Sequence, residues 1–478
     1  MQIAEVCAAP GYGKVGITFC PGKKQPGAMT GGWDRDLGID LDAVADWGAA
    51  AVVSLIEDHE LKALHVAELG KMTRQRHMTW FHMPIRDVSV PDAQFELAWR
   101  DAAEGLRARL RDGFNVLVHC KGGLGRAGTV GARLLIELGM SPASAISAVR
   151  AARPGAIETN AQETYVRALQ AAPEAFPDTS GVGVQDRAAG ALLGLAAGDA
   201  VGTTLEFKPR DRYPQLTDMI GGGPFGLKAG EWTDDTAMAL ALADSLFDKS
   251  NLDEADLMRR FVQWRQDGVY SCTGHCFDIG MTTSAALSRW QKTGDPVAGS
   301  TEPNTAGNGS LMRLSPVAIR FFKDRPRLRD VAARQSRTTH AAPEAVDACV
   351  AFADALADAI EGRPRTEVMR SRGDGMSGSI ATIMAGSWRG RARPKVKASG
   401  YVAHSLEASM WSVGRAGSYQ EAVLLAANLG DDADTTAAIT GQLAGALYGV
   451  TGIPEGWLDK LAWRPRIWGM AKALLSDD

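Results

Sequence analysis

The feature that most constrains this chain is a lapse in its pattern over Ala172–Gln185, where Pro173, Pro177, Ser180, Gly181 and Gly183 separate two stretches of different texture. Pro and Gly at that density read as a linker, because neither extends a helix or a strand. A length of 478 residues also exceeds what one hydrophobic core usually supports. We therefore expect a first domain over 1–174, a linker over 175–185 and a second domain over 186–478.

Before the lapse, short apolar runs alternate with amphipathic helical patterns. Ala51–Ile56, Met78–Ile85 and Asn115–Cys120 are rich in Val, Ile and aromatic residues, and helical spacing appears at Asp92–Arg111, Gly125–Leu138, Pro142–Ala152 and Asn160–Ala171. This alternation predicts an α/β domain, a central and largely parallel sheet flanked by helices. After the lapse, Ala/Leu-rich patterns dominate at Arg187–Gly198, Ala237–Phe247, Ala255–Gln266, Pro343–Glu361, Tyr419–Asn428 and Thr435–Tyr448. They predict an all-α domain with close, small-residue packing. The Gly/Ser/Arg-rich stretch Arg363–Ser399 is expected to hold a mobile loop.

A net charge of −4 gives no electrostatic case for nucleic acid or an anionic membrane as partner, although a local basic pocket suffices for a short polyanion. No run approaches the ~18 uninterrupted apolar residues of a membrane span. Met1–Gly11 lacks the basic-then-apolar pattern of a signal peptide. Six cysteines are too scattered for a disulfide framework, and a reduced cytoplasm is the expected location.

Two acidic clusters open helical patterns: Thr233-Asp234-Asp235-Thr236 and Asp431-Asp432-Ala433-Asp434-Thr435-Thr436. One reading is helix capping, for which one or two such side chains suffice. The other is a cation site, because several adjacent carboxylates repel one another unless a cation compensates. Hydroxyl and carboxylate ligands without nearby Cys or His suit Mg²⁺ or Mn²⁺. Cys272, His275 and Cys276 lack the second ligand pair of a zinc site and read as small buried helix residues.

Six segments then occur in a fixed order: Gly198-Asp199-Ala200-Val201-Gly202 through Glu206-Phe207, Trp232–Met238, Gly307–Arg313, Ser336–His340, Gly400-Tyr401 and Gly430–Ile439. Together, over about Arg187–Leu475, they resemble the ADP-ribosylglycohydrolase family, which includes the dinitrogenase reductase-activating glycohydrolase of bacteria. The resemblance implies an all-helical fold, a binuclear Mg²⁺ or Mn²⁺ centre, and hydrolysis of the bond from the ribose anomeric carbon to an acceptor. That acceptor is a protein arginine in many relatives; an ADP-ribosylated protein or small-molecule adduct is the expected partner. Thr233, Asp234 and Asp235 would be ligands from one side, and Asp432, Asp434 and Thr435 from the other. Asp234 or Asp432 would relay the proton, and Glu206 would gate the site or position substrate. The backbone of Asn308, Gly309, Ser310, Leu311 and Met312 would hold the diphosphate, with His340 and Tyr401 near the substrate.

In the first domain, Val116-Leu117-Val118-His119-Cys120-Lys121-Gly122-Gly123-Leu124-Gly125-Arg126 is strand, Gly-rich loop, then helix. Gly123-x-Gly125-x-x-Gly128 formally matches a dinucleotide fingerprint, but the Cys120 to Arg126 spacing explains the same glycines better. Such a loop wraps a phosphate with inward N–H groups, and the helix N-terminus and arginine favour a thiolate nucleophile. With Thr18-Phe19-Cys20-Pro21-Gly22-Lys23, Arg35-Asp36-Leu37, Pro84-Ile85-Arg86-Asp87 and Pro91-Asp92, it resembles the dual-specificity and tyrosine phosphatases, the cyclin-dependent kinase inhibitor-type phosphatases nearest, over about Val15–Leu169. The resemblance implies Cys120 as nucleophile, Asp87 as general acid, and Arg126 with Lys121, Gly122, Gly123, Leu124 and Gly125 as the phosphate cradle. Many relatives carry Ser or Thr after the loop arginine. Here it is Ala127, which predicts slow second-step turnover or substrate trapping.

The expected protein is a bifunctional hydrolase whose phosphorylated substrate the sequence does not name. Two alternatives stand beside it: an active glycohydrolase joined to a domain that binds or traps phosphorylated ligand, and a reader of ADP-ribose or phosphate.

Overall fold

β-Branched runs build the sheet of the first unit. In the computed structural model, which describes residues 1–28 and 31–476, the strands are β1 (Ala4–Cys7), β2 (Lys14–Phe19), β3 (Lys24–Gln25), β4 (Trp33–Asp34), β5 (Ala49–Ser54), β6 (Thr79–His82) and β7 (Asn115–Cys120). Five of them form one sheet in the order β1-β2-β7-β5-β6, parallel except for the edge strand β1, and β3 pairs with β4 as a separate short hairpin. Period-2 alternation sends Val116 and Val118 to one core with Ile17, Val53, Phe95 and Trp99, and Leu117 to a smaller one with Val44, Val52 and Met78. Burial on both faces explains why these strands read as apolar runs rather than alternating ones. The central position of β7 sets Cys120 at the carboxyl end of an interior strand, beside Phe19 in register. That is where open α/β sheets hold their ligands.

The chain divides into two compact units, the first made of Met1–Ala175 with Arg389–Ala392 and the second of Phe176–Trp388 and Arg393 onward. The expected linker 175–185 needs correction at its second half. Helix Gly181–Gly202 begins there, with the Ser180 hydroxyl accepting from the Gly183 N–H at 3.4 Å. Ser180 is a capping residue rather than a breaker, and the two glycines are tolerated in the first turn of a helix anchored further on.

Regular elements of the second unit, among the described residues, are helical apart from isolated bridges such as Gly307 with Tyr401. Its axis is the pair Gly181–Gly202 and Ala433–Tyr448. Gly190, Gly194, Gly198 and Gly202 face Gly445, Gly441, Ala437 and Ala433, so closely that a Cβ at Gly194 would lie 2.4 Å from the Gly441 carbonyl oxygen. Small residues at four-residue spacing let the two backbones touch. By length and composition Gly181–Leu205 could cross a bilayer, yet 94% of its apolar window is buried inside this unit. Alanine and glycine make it apolar without making it greasy, as suits a core helix.

Arg363–Ser399, expected to hold a mobile loop, contains the short helical turns Arg365–Val368, Gly378–Thr382, Ile383–Ser387 and Arg393–Lys395. Arg370 and Arg372 both pair with the buried Asp358, so ion pairs hold part of this glycine-rich stretch. Cys272 and Cys276 lie in the irregular stretch before helix Met281–Thr293, half-buried, and not within a helix as expected.

Candidate active sites

The close axial packing brings the carboxylates of the second unit together. Helices Asp234–Lys249 and Ala433–Tyr448 each begin at one of the acidic clusters. The helix ending at Gly202 carries Asp199 past them, and the turn Thr203–Leu205 delivers Glu206.

Capping, the first reading of the clusters, falls to other residues. Neither Thr233 nor Asp432 caps its own helix through its side chain. Asp199 Oδ1 accepts from the Thr233 N–H and hydroxyl, both at 2.9 Å, and its Oδ2 accepts from the Thr236 N–H at 3.0 Å and hydroxyl at 2.6 Å. Glu206 Oε2 accepts from the N–H groups of Ala433 at 2.7 Å and Asp434 at 3.2 Å. Most orphan donors at the two helix starts are thereby satisfied from a neighbouring segment, and of the cluster carboxylates Asp434 Oδ1 accepts one first-turn N–H, that of Thr435 at 2.6 Å.

Those carboxylates form two groups, Asp199 with Asp235 and Asp434, and Glu206 with Asp432 and Asp434, each with oxygens within 4.8 Å of one another. Asp434 belongs to both. Asp199 already accepts four hydrogen bonds, so in the first group Asp235 and Asp434 keep lone pairs to spare. Asp235 is fully buried and its Oδ1 has no hydrogen-bond partner. The Thr233 hydroxyl is 3.2 Å from Asp434 Oδ2, and the Thr435 hydroxyl is 3.3 Å from Asp235 Oδ2. Asn308 Nδ2 donates to Asp432 at 2.7 Å and to the Ser405 hydroxyl at 2.8 Å.

Burial raises the carboxyl pKa of Asp199, Glu206, Asp234, Asp235, Asp278 and Asp432, and the charge of Asp434 pushes each of them further. A dry cluster of one sign is unfavourable unless protons or cations neutralise it. An orphaned carboxylate oxygen, two threonine hydroxyls and only oxygen donors fit hard divalent cations. Above the cluster opens a cavity of about 580 Å³, lined among others by Glu206, Asp234, Asn308, His340 and Asp432. Burial holds the His340 imidazole neutral, its pKa down at about 3.

In the first unit, the loop from Cys120 leads from β7 into helix Gly125–Glu137. The Gly123 N–H donates to Cys120 Sγ at 3.2 Å. Gly123 has φ +72°, and a Cβ there would lie 2.4 Å from the Thr18 backbone, so only glycine fits. Arg126, only 2% exposed, is held by a bidentate pair to Glu60 at 2.6 and 3.0 Å and donates to the Ile85 carbonyl at 3.0 Å. Its other terminal nitrogen reaches Asp87 at 2.9 Å. Burial opposes the charge of Glu60, yet the Arg126 pair keeps its pKa below the usual carboxylate value. Cys120, Arg126 and Asp87 therefore meet at one loop mouth.

Residues 180–478 match the family model of the ADP-ribosylglycohydrolases. The chain belongs to the ADP-ribosylglycohydrolase family. Ahead of that domain, residues 25–166 match a model described as Swiss Army Knife protein, DSP-PTPase phosphatase domain. ADP-ribosylarginine hydrolase Tri1 of Pseudomonas putida (strain GB-1) is 47% identical over 289 residues, covering 60% of this chain and 78% of that protein. Cyclin-dependent kinase inhibitor 3 of Rattus norvegicus is 33% identical over 135 residues, 28% of this chain and 62% of that protein. A solved ADP-ribosylglycohydrolase-related protein complex superposes with a TM-score of 0.55 at 38% identity, covering 61% of this chain and 98% of that one. The chain is thus a fusion of an α/β phosphatase-like domain with a helical glycohydrolase domain.

Within the glycohydrolase domain, the cavity wall includes Glu206, Asp234, Asn308, Gly309, Met312, His340, Asp432, Asp434 and Thr435, while Thr233 and Asp235 lie buried beneath it. Two expected substrate contacts are corrected. Ser310 and Leu311 are fully buried, and the Ser310 hydroxyl bonds that of Ser336. Tyr401 pairs through its backbone with Gly307 of the cavity wall, and its hydroxyl donates to Glu344. The backbone cradle also fails over most of Asn308–Met312. The N–H groups of Leu311 and Met312 donate to the Asn308 carbonyl, and the Asn308 N–H donates to Gly400, because the segment folds on itself as a tight turn. Asp199, Asp278 and Glu60 went unassigned in the sequence. For Asp199 a signal was present, since a carboxylate inside an Ala/Leu-rich helix needs a partner. Asp278 and Glu60 carry no such local mark.

Proposed function

We propose that the glycohydrolase domain removes ADP-ribose from arginine side chains of modified proteins with the help of two divalent cations. The observation that carries this reading is the pair of buried acidic groups sharing Asp434 beneath a cavity. Family membership and an ADP-ribosylarginine hydrolase as a 47% identical relative support it. Thr233, Asp234, Asp235, Asp432, Asp434 and Thr435 would hold Mg²⁺ or Mn²⁺, which would supply a Lewis acid for the ribose hydroxyls and a water of lowered pKa. Asp234 and Asp432 are assigned the proton relay: one carboxylate takes the proton of the attacking water, and a proton passes to the departing guanidine nitrogen as the ribose C–N bond breaks. Their position on the cavity wall supports that role. Glu206, which holds the start of helix Ala433–Tyr448 by one oxygen, keeps its other oxygen for substrate or cation.

The full chain, given Mg²⁺ or Mn²⁺ and a panel of ADP-ribosylated arginine, serine and small-molecule substrates, is expected to release ADP-ribose from the arginine adducts. EDTA and Asp432→Ala should each abolish release. Tight ADP-ribose binding without release from any substrate would overturn the enzymatic reading in favour of a reader.

For the first unit we infer Cys-dependent phosphate monoester hydrolysis, on the meeting of Cys120, Arg126 and Asp87. Cys120 Sγ would form the bond to phosphorus while Asp87 protonates the departing oxygen, and water would then cleave the phosphocysteine. Ala127 supplies no hydroxyl for that second step, so an aryl phosphate in reducing buffer should give a fast first turnover and a slow steady state. Cys120→Ser should remove both phases; phosphate release that survives it would refute the assigned nucleophile.

A further inference from the structure

The phosphate loop of the first unit is braced from outside by two cations that no step of the proposed chemistry uses. Three consecutive loop carbonyls are involved. Lys23 Nζ donates to the Lys121 carbonyl at 3.3 Å, Arg153 Nη2 to Gly122 at 3.2 Å and Arg153 Nε to Gly123 at 3.2 Å. We infer that Lys23 and Arg153 are positioning residues, which hold these carbonyls outward so that the intervening N–H groups face the anion bound at Cys120. This inference rests on reading the loop as a phosphate site.

Each brace is itself fixed. Lys23 is 5% exposed and its Nζ sits 4.5 Å from the centre of the Trp33 ring. The turn before it is pinned by the Gly22 N–H donating to Asp40 at 2.8 Å, while Arg35 grips Asp40 through two nitrogens at 2.8 and 2.5 Å. The Lys23 carbonyl accepts from the Arg35 N–H at 3.2 Å. Arg153 caps the end of helix Pro142–Ala152, and its carbonyl accepts from the Ala156 N–H at 3.0 Å. Both therefore come from ordered elements outside the loop.

The physical need is clear in a loop with three glycines among six residues. A glycine-rich peptide rotates at little cost, and one rotation would turn a carbonyl dipole toward the anion. Charge-assisted bonds from two directions oppose it. The Gly123 N–H, which points to Cys120 Sγ, shows the inward half of the same arrangement.

Tungstate serves as the probe, an oxyanion that binds without turnover. In the full chain, Lys23→Met with Arg153→Met should weaken tungstate binding by about tenfold or more by calorimetry, since the charge-assisted bonds lost are worth at least that much. Amide exchange over Gly122–Gly125 should quicken. Arg153→Lys, which keeps the charge but not the pair of donors, should fall between the variant and the natural protein. Lys23→Gln and Arg153→Gln read each contact singly if the double variant does not fold. Folded variants with natural tungstate affinity and natural loop exchange would overturn the inference. A natural protein that fails to bind tungstate would instead overturn the phosphate-site reading beneath it.

Discussion

Asparagine at Asp434 is expected to cut ADP-ribose release by on the order of a thousandfold while making the metal-free protein more stable. The first effect follows from its membership of both acidic groups, because one substitution would damage both proposed cation positions at once. The second follows from charge. The negative charge at Asp434 raises the pKa of Asp199, Glu206, Asp234, Asp235, Asp278 and Asp432, so removing it eases the ionisation of these neighbours where no cation is bound. Asparagine keeps the shape and an oxygen that can still accept from the Thr435 N–H. Relief of repulsion worth roughly 1–2 kcal/mol should raise Tm in EDTA by about 2–4 °C. Turnover with Mg²⁺ and melting in EDTA test the two halves separately. A lower Tm in EDTA would mean that the carboxylate is there to hold the fold, and the cation reading would lose its electrostatic basis.

Valine at Gly194 should unfold the glycohydrolase domain or cost it more than about 3 kcal/mol. A Cβ would sit 2.4 Å from the Gly441 carbonyl oxygen, and that neighbour is backbone in the middle of a helix, which has no room to yield. The Gly194 carbonyl also accepts from the Tyr419 hydroxyl at 2.7 Å, so shifting the helix breaks a second contact. Gly469, in helix Arg464–Leu475, is the control: a Cβ there meets nothing within 4 Å. Alanine at that position should be neutral or stabilise by up to about 1 kcal/mol, through helix propensity alone. Urea unfolding of the two variants separates crowding from propensity. Similar midpoints would show that the small-residue contact is not what joins the helices.

The parts of this fold that the sequence announced are those with strong local periodicity. Helix Pro343–Glu361 and helix Pro142–Ala152 were legible residue for residue, since a proline marks each start and an apolar stripe runs through each. Strands β1 and β2 were not. Ala4–Cys7 and Lys14–Phe19 are short and carry Glu5, Lys14 and Gly16 among few apolar residues, and only pairing across the sheet makes them strands. The acidic clusters were visible because each is contiguous. What holds them was not, because Asp199 reaches 34 residues to Thr233 and Glu206 reaches 227 to Ala433. Glu60 is 66 residues from the arginine it grips. A hydrogen bond between distant segments leaves no period to read. The turn Asn308–Met312 shows the opposite error: glycine and asparagine suggested an open cradle, but the Leu311 and Met312 N–H groups bond the Asn308 carbonyl and the Asn308 N–H bonds Gly400.

That Asp199 and Glu206 hold the starts of two different helices has a consequence for how such a domain can diversify. Both halves of the acidic centre are registered on one short span, 199–206, so their spacing does not depend on the length of 207–232. Insertions in that stretch can reshape what an incoming acceptor meets at the mouth, beginning at Phe207, without displacing the carboxylates below. Selectivity and chemistry are in that sense separately inheritable, and grafting the intervening segment between relatives is a rational way to exchange one without rebuilding the other.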